Sequence, residues 1–239
     1  MADTSTTKVP FTTQPFYQKE ASRMVLQLTE LSTEGIESLL HVNQEIALEN
    51  QLRYHRFHDE ESNELPAILA YTGIVFKRLG ADSFTQNDFL YAQQHLYITS
   101  FLYGLLRPLD NIRNYRLEGN VTLPDNDGLT VFDYWKKRLT DQFISSIHAD
   151  DGILVNLASE EMKKLFDWKR ICKEVQVITP EFRIYKNGKM KNIVIYTKMC
   201  RGEMTRYILK NRLSQPEKLN SFTWEGFHWD EDKKLFINL

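Results

Sequence analysis

The sequence contains few cysteines and no long apolar run. Of its 239 residues only Cys172 and Cys200 are cysteines, too few for a disulfide framework, and their spacing does not fit a zinc site. No stretch approaches the roughly 18 consecutive apolar residues of a membrane-spanning helix, and the polar N-terminus lacks the regions of a signal peptide. These absences predict a cytoplasmic protein with no membrane partner.

The sequence also lacks the short motifs that anchor common enzyme mechanisms. It contains no glycine-rich phosphate loop, no Gly-x-Ser-x-Gly elbow and no His-Glu-x-x-His helix, so no catalytic residue is predicted. His55 and His58 would share a helical face beside Asp59, but a third well-spaced ligand is missing. Structural histidines are therefore preferred over a metal site, and we expect neither a metal nor a cofactor.

The apolar content is sufficient for a sizeable core. With 42% hydrophobic and 12% aromatic residues, residues 1–239 are expected to form one domain. Helical spacing predicts a helix from Ser32 through Ala47 and an amphipathic helix with an apolar stripe from Phe132 to Ile147. The last third has three β-like segments, at 175–179, 182–185 and 192–197, and a hairpin signal at residues 186–189. A helix is expected to follow at 202–213. The predicted class is α+β, with a mixed sheet surrounded by helices.

Residues 84–118 are the stretch around which the remaining chain is organised. Thr85 with Asp88 is a capping box, and the apolar spacing predicts a core helix that continues to Leu102. Gly104 then permits a tight corner before a second short helix, so the stretch resembles a helix-hairpin-helix, whose free backbone N–H groups hold phosphate. The second arm carries Arg107, Arg113, Arg116 and Glu118.

Positive charge is concentrated in one segment. The whole chain has a net charge of −2, but residues 183–212 carry nine Lys and Arg against Glu203 alone, which gives this segment +8 and the remainder near −10. Such segregation is typical of surfaces that bind polyanions, although a solvated face is the commoner explanation of a charge run. The segment includes Lys198, Arg201, Arg206 and Lys210.

One run of residues resembles the signature of a known family. Residues 92–119, AQQHLYITSFLYGLLRPLDNIRNYRLEG, closely resemble that of the YaaA peroxide-stress family. Other segments agree with the family in order and spacing: 56–59, 155–159, 196–202 and 211–217. There are two departures. The family usually opens with a hydrophobic strand and a Pro-Ala-Lys-like element, which we expect to lie just before the start of this chain. Its Lys-Lys-Ala-Arg-Gly reads KMCRG at residues 198–202 here.

The resemblance implies DNA binding and protection from peroxide, including restraint of free iron. Together with the segregated charge it favours a protein that binds duplex or distorted DNA with little sequence specificity. We expect seven cations to contact phosphate: Arg107, Arg113, Arg116, Lys198, Arg201, Arg206 and Lys210. The alternative is an enzyme acting on a phosphorylated or nucleotide-like small molecule, in a pocket formed by His58, Asp59, Glu118 and Asn156.

Overall fold

Helices and short strands alternate along the chain, and the computed structural model describes them for residues 1–59, 62–186 and 188–238. The helices are α1 (Gln18–Thr29), α2 (Thr33–Leu40), α3 (Gln44–His55), α4 (Ala67–Ala70), α5 (Ile74–Leu79), α6 (Gln86–His95), α7 (Val131–Ala149), α8 (Glu160–Lys163), α9 (Trp168–Glu174) and α10 (Val194–Asn211). Short 3₁₀ helices cover Ala81–Ser83 and Pro216–Ser221. Among these described helices, none is long and apolar enough to cross a membrane.

The strands form several small sheets. They are β1 (Leu65–Pro66), β2 (Ile98–Ser100), β3 (Gly104–Leu106), β4 (Asn111–Ile112), β5 (Ile153–Val155), β6 (Gln176–Ile178), β7 (Phe182–Lys186), β8 (Lys189–Lys191), β9 (His228–Asp230) and β10 (Leu235–Asn238). One sheet has the order β8-β7-β10-β9 and is mixed, since β10 runs parallel to β7 and antiparallel to β9. The pairs β1–β4 and β2–β3 are antiparallel, whereas β5–β6 is parallel. The predicted α+β class with a mixed sheet is confirmed.

The helix predicted from Ser32 begins where expected but is interrupted. The Ser32 hydroxyl caps α2 by accepting a hydrogen bond from the N–H of Gly35 at 3.2 Å. His41 then adopts a left-handed backbone with φ of 51°, and Asn43 caps α3 by accepting from the N–H of Ile46 at 2.9 Å. A continuous helix through residue 47 is therefore wrong, because asparagine favours the cap position over the helix interior.

The capping box of the organising stretch is confirmed. The N–H of Asp88 donates to Thr85 Oγ1 at 3.2 Å, and the Asp88 carboxylate accepts from the N–H of Thr85 at 2.9 Å. The helix that it opens, α6, ends at His95. The predicted continuation to residue 102 is wrong.

Residues 98–106 form a β-hairpin where the sequence predicted a helical corner. The β-branched Ile98 and Thr99 favour a strand and lie in β2. Gly104 has φ of 69°, and a Cβ on it would lie 2.7 Å from the ring of Trp135, so glycine permits both the turn and the close approach of α7. The chain then enters β4 without a second helix. A helix-hairpin-helix is not shown at this place.

The amphipathic helix α7 supports the organising stretch. Trp135, Leu139, Phe143 and Ile147 are buried along one face, which confirms the predicted stripe. The indole N–H of Trp135 donates to the carbonyl of Phe101 at 2.7 Å, which fixes α7 against the β2–β3 hairpin. Nearly half of the buried residues of the main hydrophobic core lie in these two regions.

The last third of the chain differs from expectation at one helix start. The predicted strands are confirmed at β6 and at β7, which begins at Phe182 and pairs with β8. At the end of the chain β9 and β10 form a further antiparallel hairpin. Asn187, in the predicted turn, lies outside the described residues. A return strand at 192–197 is wrong, because α10 begins at Val194 instead of Gly202. Local β propensity is overridden there by packing, since Gly202 brings α10 against α5, where a Cβ would lie 2.2 Å from the carbonyl oxygen of Val75.

Candidate nucleic-acid interface

Positive charge is concentrated in the β7–β8 hairpin and the first half of α10. No acidic residue lies between Phe182 and Gly202, a segment that holds six cations. Arg183 pairs with Glu181 at 2.9 Å. The other five are called the basic surface here: Lys186, Lys189, Lys191, Lys198 and Arg201.

The hairpin brings three of these lysines together. Lys186 is opposite Lys189 in the antiparallel ladder, and Lys191 is opposite Ile184. All three lysine side chains are exposed. Like charges placed this closely repel one another. An anion bound between the lysines relieves this repulsion, so the surface favours anion binding.

The start of α10 adds to the positive potential. Its N-cap residue, Ile193, provides no side-chain hydrogen bond, and the first turn contains no acidic residue. The N–H groups of a first helical turn carry partial positive charge. Beside them Tyr185 and Tyr196 are 48% and 42% exposed, so rings as well as charges face solvent.

Arg201 connects the basic surface to an apolar cavity of about 590 Å³. It lines this cavity together with Lys198 and Asn156. Burial lowers the pKa of Arg201, and the nearby charge of Glu160 acts in the opposite direction. Asn156 is buried at the end of β5, where its Nδ2 donates to Thr179 Oγ1 and its Oδ1 accepts from the N–H of Ala158, both at 3.3 Å. The Asn156 side chain therefore stabilises the backbone conformation of the residues that follow β5.

Two further predicted cations are used within the fold. Arg206 Nη1 donates to the carbonyls of Leu79 and Gly80 at 3.1 and 2.9 Å, and so caps α5. Lys210 Nζ donates to the buried carboxylate of Asp88 at 2.6 Å. The charged groups of Arg206 and Lys210 therefore already bind internal partners.

The three arginines of the organising stretch also have internal partners. The Arg107 guanidinium lies 4.1 Å from the ring centroid of Tyr97, and burial lowers its pKa. Arg113 is 17% exposed, with Nε 3.1 Å from Glu64 Oε1, and Arg116 pairs with Glu118 at 3.0 Å. Arg113 and Arg116 are therefore each paired with a carboxylate, while Arg107 packs on an aromatic ring.

A second cavity, of about 620 Å³, lies beside Arg113. It is called the arginine cavity here because Arg53, Arg56 and Arg113 line it, together with Asp59. Asp59 and Asn156 thus line different cavities, and the four residues of the predicted pocket do not converge on either one. Arg56 belongs to a segment that the sequence already singled out, whereas Arg53 carried no signal apart from its place three residues earlier on α3.

The two histidines lack a complete set of metal ligands among the residues that the structure describes. His55, His58 and Asp59 are exposed near the end of α3. Within the described residues no group of three or more histidine, cysteine or carboxylate side chains is placed to hold a metal ion.

Comparison with known proteins identifies the family. A model of the family described as Peroxide stress protein YaaA matches residues 1–233. The chain belongs to this family. It is 58% identical to a UPF0246 protein of Bacteroides thetaiotaomicron over 243 residues, covering 100% of this chain and 95% of the relative. It is also 55% identical to a UPF0246 protein of Phocaeicola vulgatus, over 96% of this chain and 90% of that relative. A UPF0246 protein of Porphyromonas gingivalis is 44% identical, over 95% of this chain and 91% of that relative. Membership supports a role in peroxide stress.

Proposed function

We propose that this YaaA-family protein binds DNA with little sequence specificity through the basic surface, in the cytoplasm, and limits iron-dependent oxidative damage there. The single observation that carries the proposal is the clustering of five cations without an acidic residue between them in the sequence. Arg113 and Arg116 of the organising stretch are each paired with a carboxylate and contribute less. Contacts to phosphate alone carry no base information, which accounts for the lack of specificity.

Binding of this kind also explains how iron damage is restrained. Duplex DNA holds a condensed layer of cations, and a protein that neutralises phosphates releases them. Ferrous ions in that layer produce hydroxyl radicals next to the sugar when peroxide is present. Lysines that occupy the phosphates displace these ions, so protection does not require the protein to hold iron itself.

A salt titration with a labelled duplex of about 20 base pairs tests the proposal. Each phosphate contact contributes about −0.9 to the slope of log affinity against log salt, so five contacts give about −4.5. A fourfold increase in salt then weakens binding roughly 500-fold. Replacing Lys186, Lys189 and Lys191 together with Gln removes three contacts and brings the slope to about −1.8.

A control of equal charge is available on the other helices. Lys137, Lys169 and Lys173 are exposed on α7 and α9, and replacing them with Gln changes the net charge by the same amount. This control is expected to keep the slope of the unchanged protein and to protect a plasmid from nicking by ferrous iron and peroxide, whereas the hairpin variant loses both. Equal slopes for the two triple variants would show that the basic surface is not the site.

The arginine cavity favours a second candidate, an enzyme or binding protein for a phosphorylated small molecule. Arg53, Arg56 and Arg113 line this cavity with planar guanidinium groups that suit a phosphate, and Asp59 supplies an acceptor. A phosphate there competes with Glu49 for Arg53, at 2.6 Å, and with Glu64 for Arg113, at 3.1 Å. The same titration separates the two candidates. A nucleotide that displaces the duplex completely, with a shallow salt dependence, supports the cavity as the functional site, while failure to compete supports the basic surface.

A further inference from the structure

Three consecutive large apolar side chains are exposed at the start of α10. Val194 is 63% exposed, Ile195 is 47% exposed and Tyr196 is 42% exposed. These three residues are called the apolar tip here. Large apolar side chains gain free energy when they leave water, and an exposed group of them surrounded by polar residues marks an interaction site. The apolar tip is therefore a candidate contact for a partner molecule.

Positive charge borders the apolar tip on both sides along the chain. Lys191 ends β8 shortly before the tip, and Lys198 follows it within the next turn of α10. No acidic residue lies between Phe182 and Gly202. A second copy of the chain would bring the same cations face to face in a symmetric contact, which opposes self-association through this surface. Charge complementarity instead favours a polyanion as the partner.

The rest of α10 restricts the shape of that partner. Cys200, Met204 and Leu209 are buried against the protein. Helices that lie on a membrane bury a long apolar face in it, and α10 uses this face for its own core. The apolar tip is one helical turn in length. In duplex DNA, an apolar surface suited to such a small group becomes accessible where a single base step opens.

Local contacts hold the apolar tip in a fixed shape. Thr197 Oγ1 donates to Asn192 Oδ1 at 2.6 Å, which closes the short connection between β8 and α10. The ring centroid of Tyr196 lies 6.4 Å from that of Phe227, which is buried, so the core supports this ring from behind. The other two residues of the tip are β-branched and therefore stiff at χ1. A rigid group of this kind loses little conformational entropy when it binds.

We propose that the apolar tip inserts into a base step of duplex DNA and kinks the duplex, while the lysines of the basic surface hold the phosphates on either side. This inference rests on the proposed function, since it requires DNA at the basic surface. Proteins that insert apolar side chains between base pairs bend the duplex by about 20 to 90°. Apolar side chains do not read the hydrogen-bonding groups of the bases, so insertion is compatible with little sequence specificity.

The end-to-end distance of a bound duplex tests this inference. A duplex of about 20 base pairs with a fluorescent donor at one end and an acceptor at the other is about 68 Å long when straight. A kink of about 60° at its centre shortens this distance to about 59 Å. Energy transfer is therefore expected to rise when the full chain saturates the duplex at low salt.

Two double variants separate the apolar tip from apolar exposure elsewhere. Replacing Val194 and Ile195 with Ala keeps every charge and favours the helix. This variant is expected to bind about threefold more weakly, to keep a salt slope of about −4.5 and to lose the rise in energy transfer. Leu48 and Leu52 of α3 are 49% and 50% exposed, so replacing both with Ala is the matched control, which is expected to change none of these quantities.

The outcomes distinguish this inference from the proposed function. Binding with the expected salt slope but no rise in energy transfer would overturn the insertion alone, as would an equal rise for the variant that carries Val194→Ala and Ile195→Ala. Absence of DNA binding at low salt would overturn both. Sedimentation with phosphatidylserine vesicles that depends on the apolar tip, without any kink in bound DNA, would assign the tip to a membrane surface instead.

Discussion

Replacing Asp88 with Asn is expected to destabilise the protein by about 3 kcal/mol. The Asp88 side chain is 6% exposed and lies at the start of α6. It accepts from Lys210 Nζ at 2.6 Å, from Arg212 Nη2 at 2.9 Å and from the N–H of Thr85 at 2.9 Å. Hydrogen bonds to charged groups contribute about 1.5 to 3 kcal/mol each, and Asn retains the cap but not the charge. Because both cations are about one-third exposed, water replaces part of the loss.

The effect depends on pH in a defined direction. Burial alone would raise the pKa of Asp88, but Lys210, Thr85 and Arg212 outweigh it and hold this pKa well below the ordinary value of 3.8. Since the unfolded chain takes up the proton first as the pH falls, the stabilisation is complete well above pH 3.8 and is lost as the pH falls through the lower, folded pKa. The difference between the unchanged protein and Asp88→Asn should be constant from about pH 7 to 5 and should shrink below about pH 4.

Urea denaturation at several pH values measures this difference, provided that the slope of free energy against urea is the same for both proteins. Asp133→Asn is the matched control. Asp133 occupies the same capping position in α7, where its carboxylate accepts from Thr130 Oγ1 at 2.7 Å, but its side chain is 47% exposed. It is expected to lose less than about 1 kcal/mol. A loss at Asp88 no larger than that at Asp133, or one that does not change with pH, would refute the reasoning.

Two more predictions concern packing and thiol reactivity. Gly202→Ala places a methyl group against the backbone of α5 and is expected to cost about 2 kcal/mol or more in urea denaturation, whereas Gly35→Ala, whose nearest neighbours would lie at 3.5 Å, should be neutral or stabilising. Burial raises the pKa of Cys200 to about 12, while Cys172 is exposed. Dithiodinitrobenzoate at pH 8 should therefore titrate one thiol in the folded protein and two in urea, and rapid reaction of both when folded would contradict the burial of Cys200.

The parts of the fold that the sequence predicted correctly are those set by local chemistry. The capping box of Thr85 and Asp88 satisfies backbone donors within one turn, and the stripe of α7 follows from the helical period alone. The hairpin at residues 186–189 was predicted from a turn signal that lies between two β-like segments. None of these depends on a distant partner, so a short window of sequence contains the necessary information.

Two of the expectations that failed depended on distant partners. The segment Val194–Thr197 has β-branched and aromatic residues, yet it is helical because α10 packs along α5 through Gly202. Likewise, the charge of Lys210 looked available for DNA, but its partner Asp88 is 122 residues away in sequence. A count of charges along the chain cannot distinguish a cation that faces solvent from one that neutralises a buried carboxylate.

The run that identifies the family is mainly buried framework. Within residues 92–119, Ser100 Oγ hydrogen-bonds the hydroxyl of Tyr115 at 2.7 Å, and Tyr103 is fully buried beside them. The hydroxyl of Tyr71, from an earlier segment, also hydrogen-bonds that of Tyr115, at 2.9 Å. Such residues specify how the chain folds, and they leave little for a ligand to contact. The basic surface lies in a different segment, from Lys186 to Arg201, so resemblance in the organising stretch transfers the fold, whereas the DNA hypothesis depends on the charges of the hairpin and α10. Variants of the hairpin lysines therefore test function without disturbing the part of the chain by which the family is recognised.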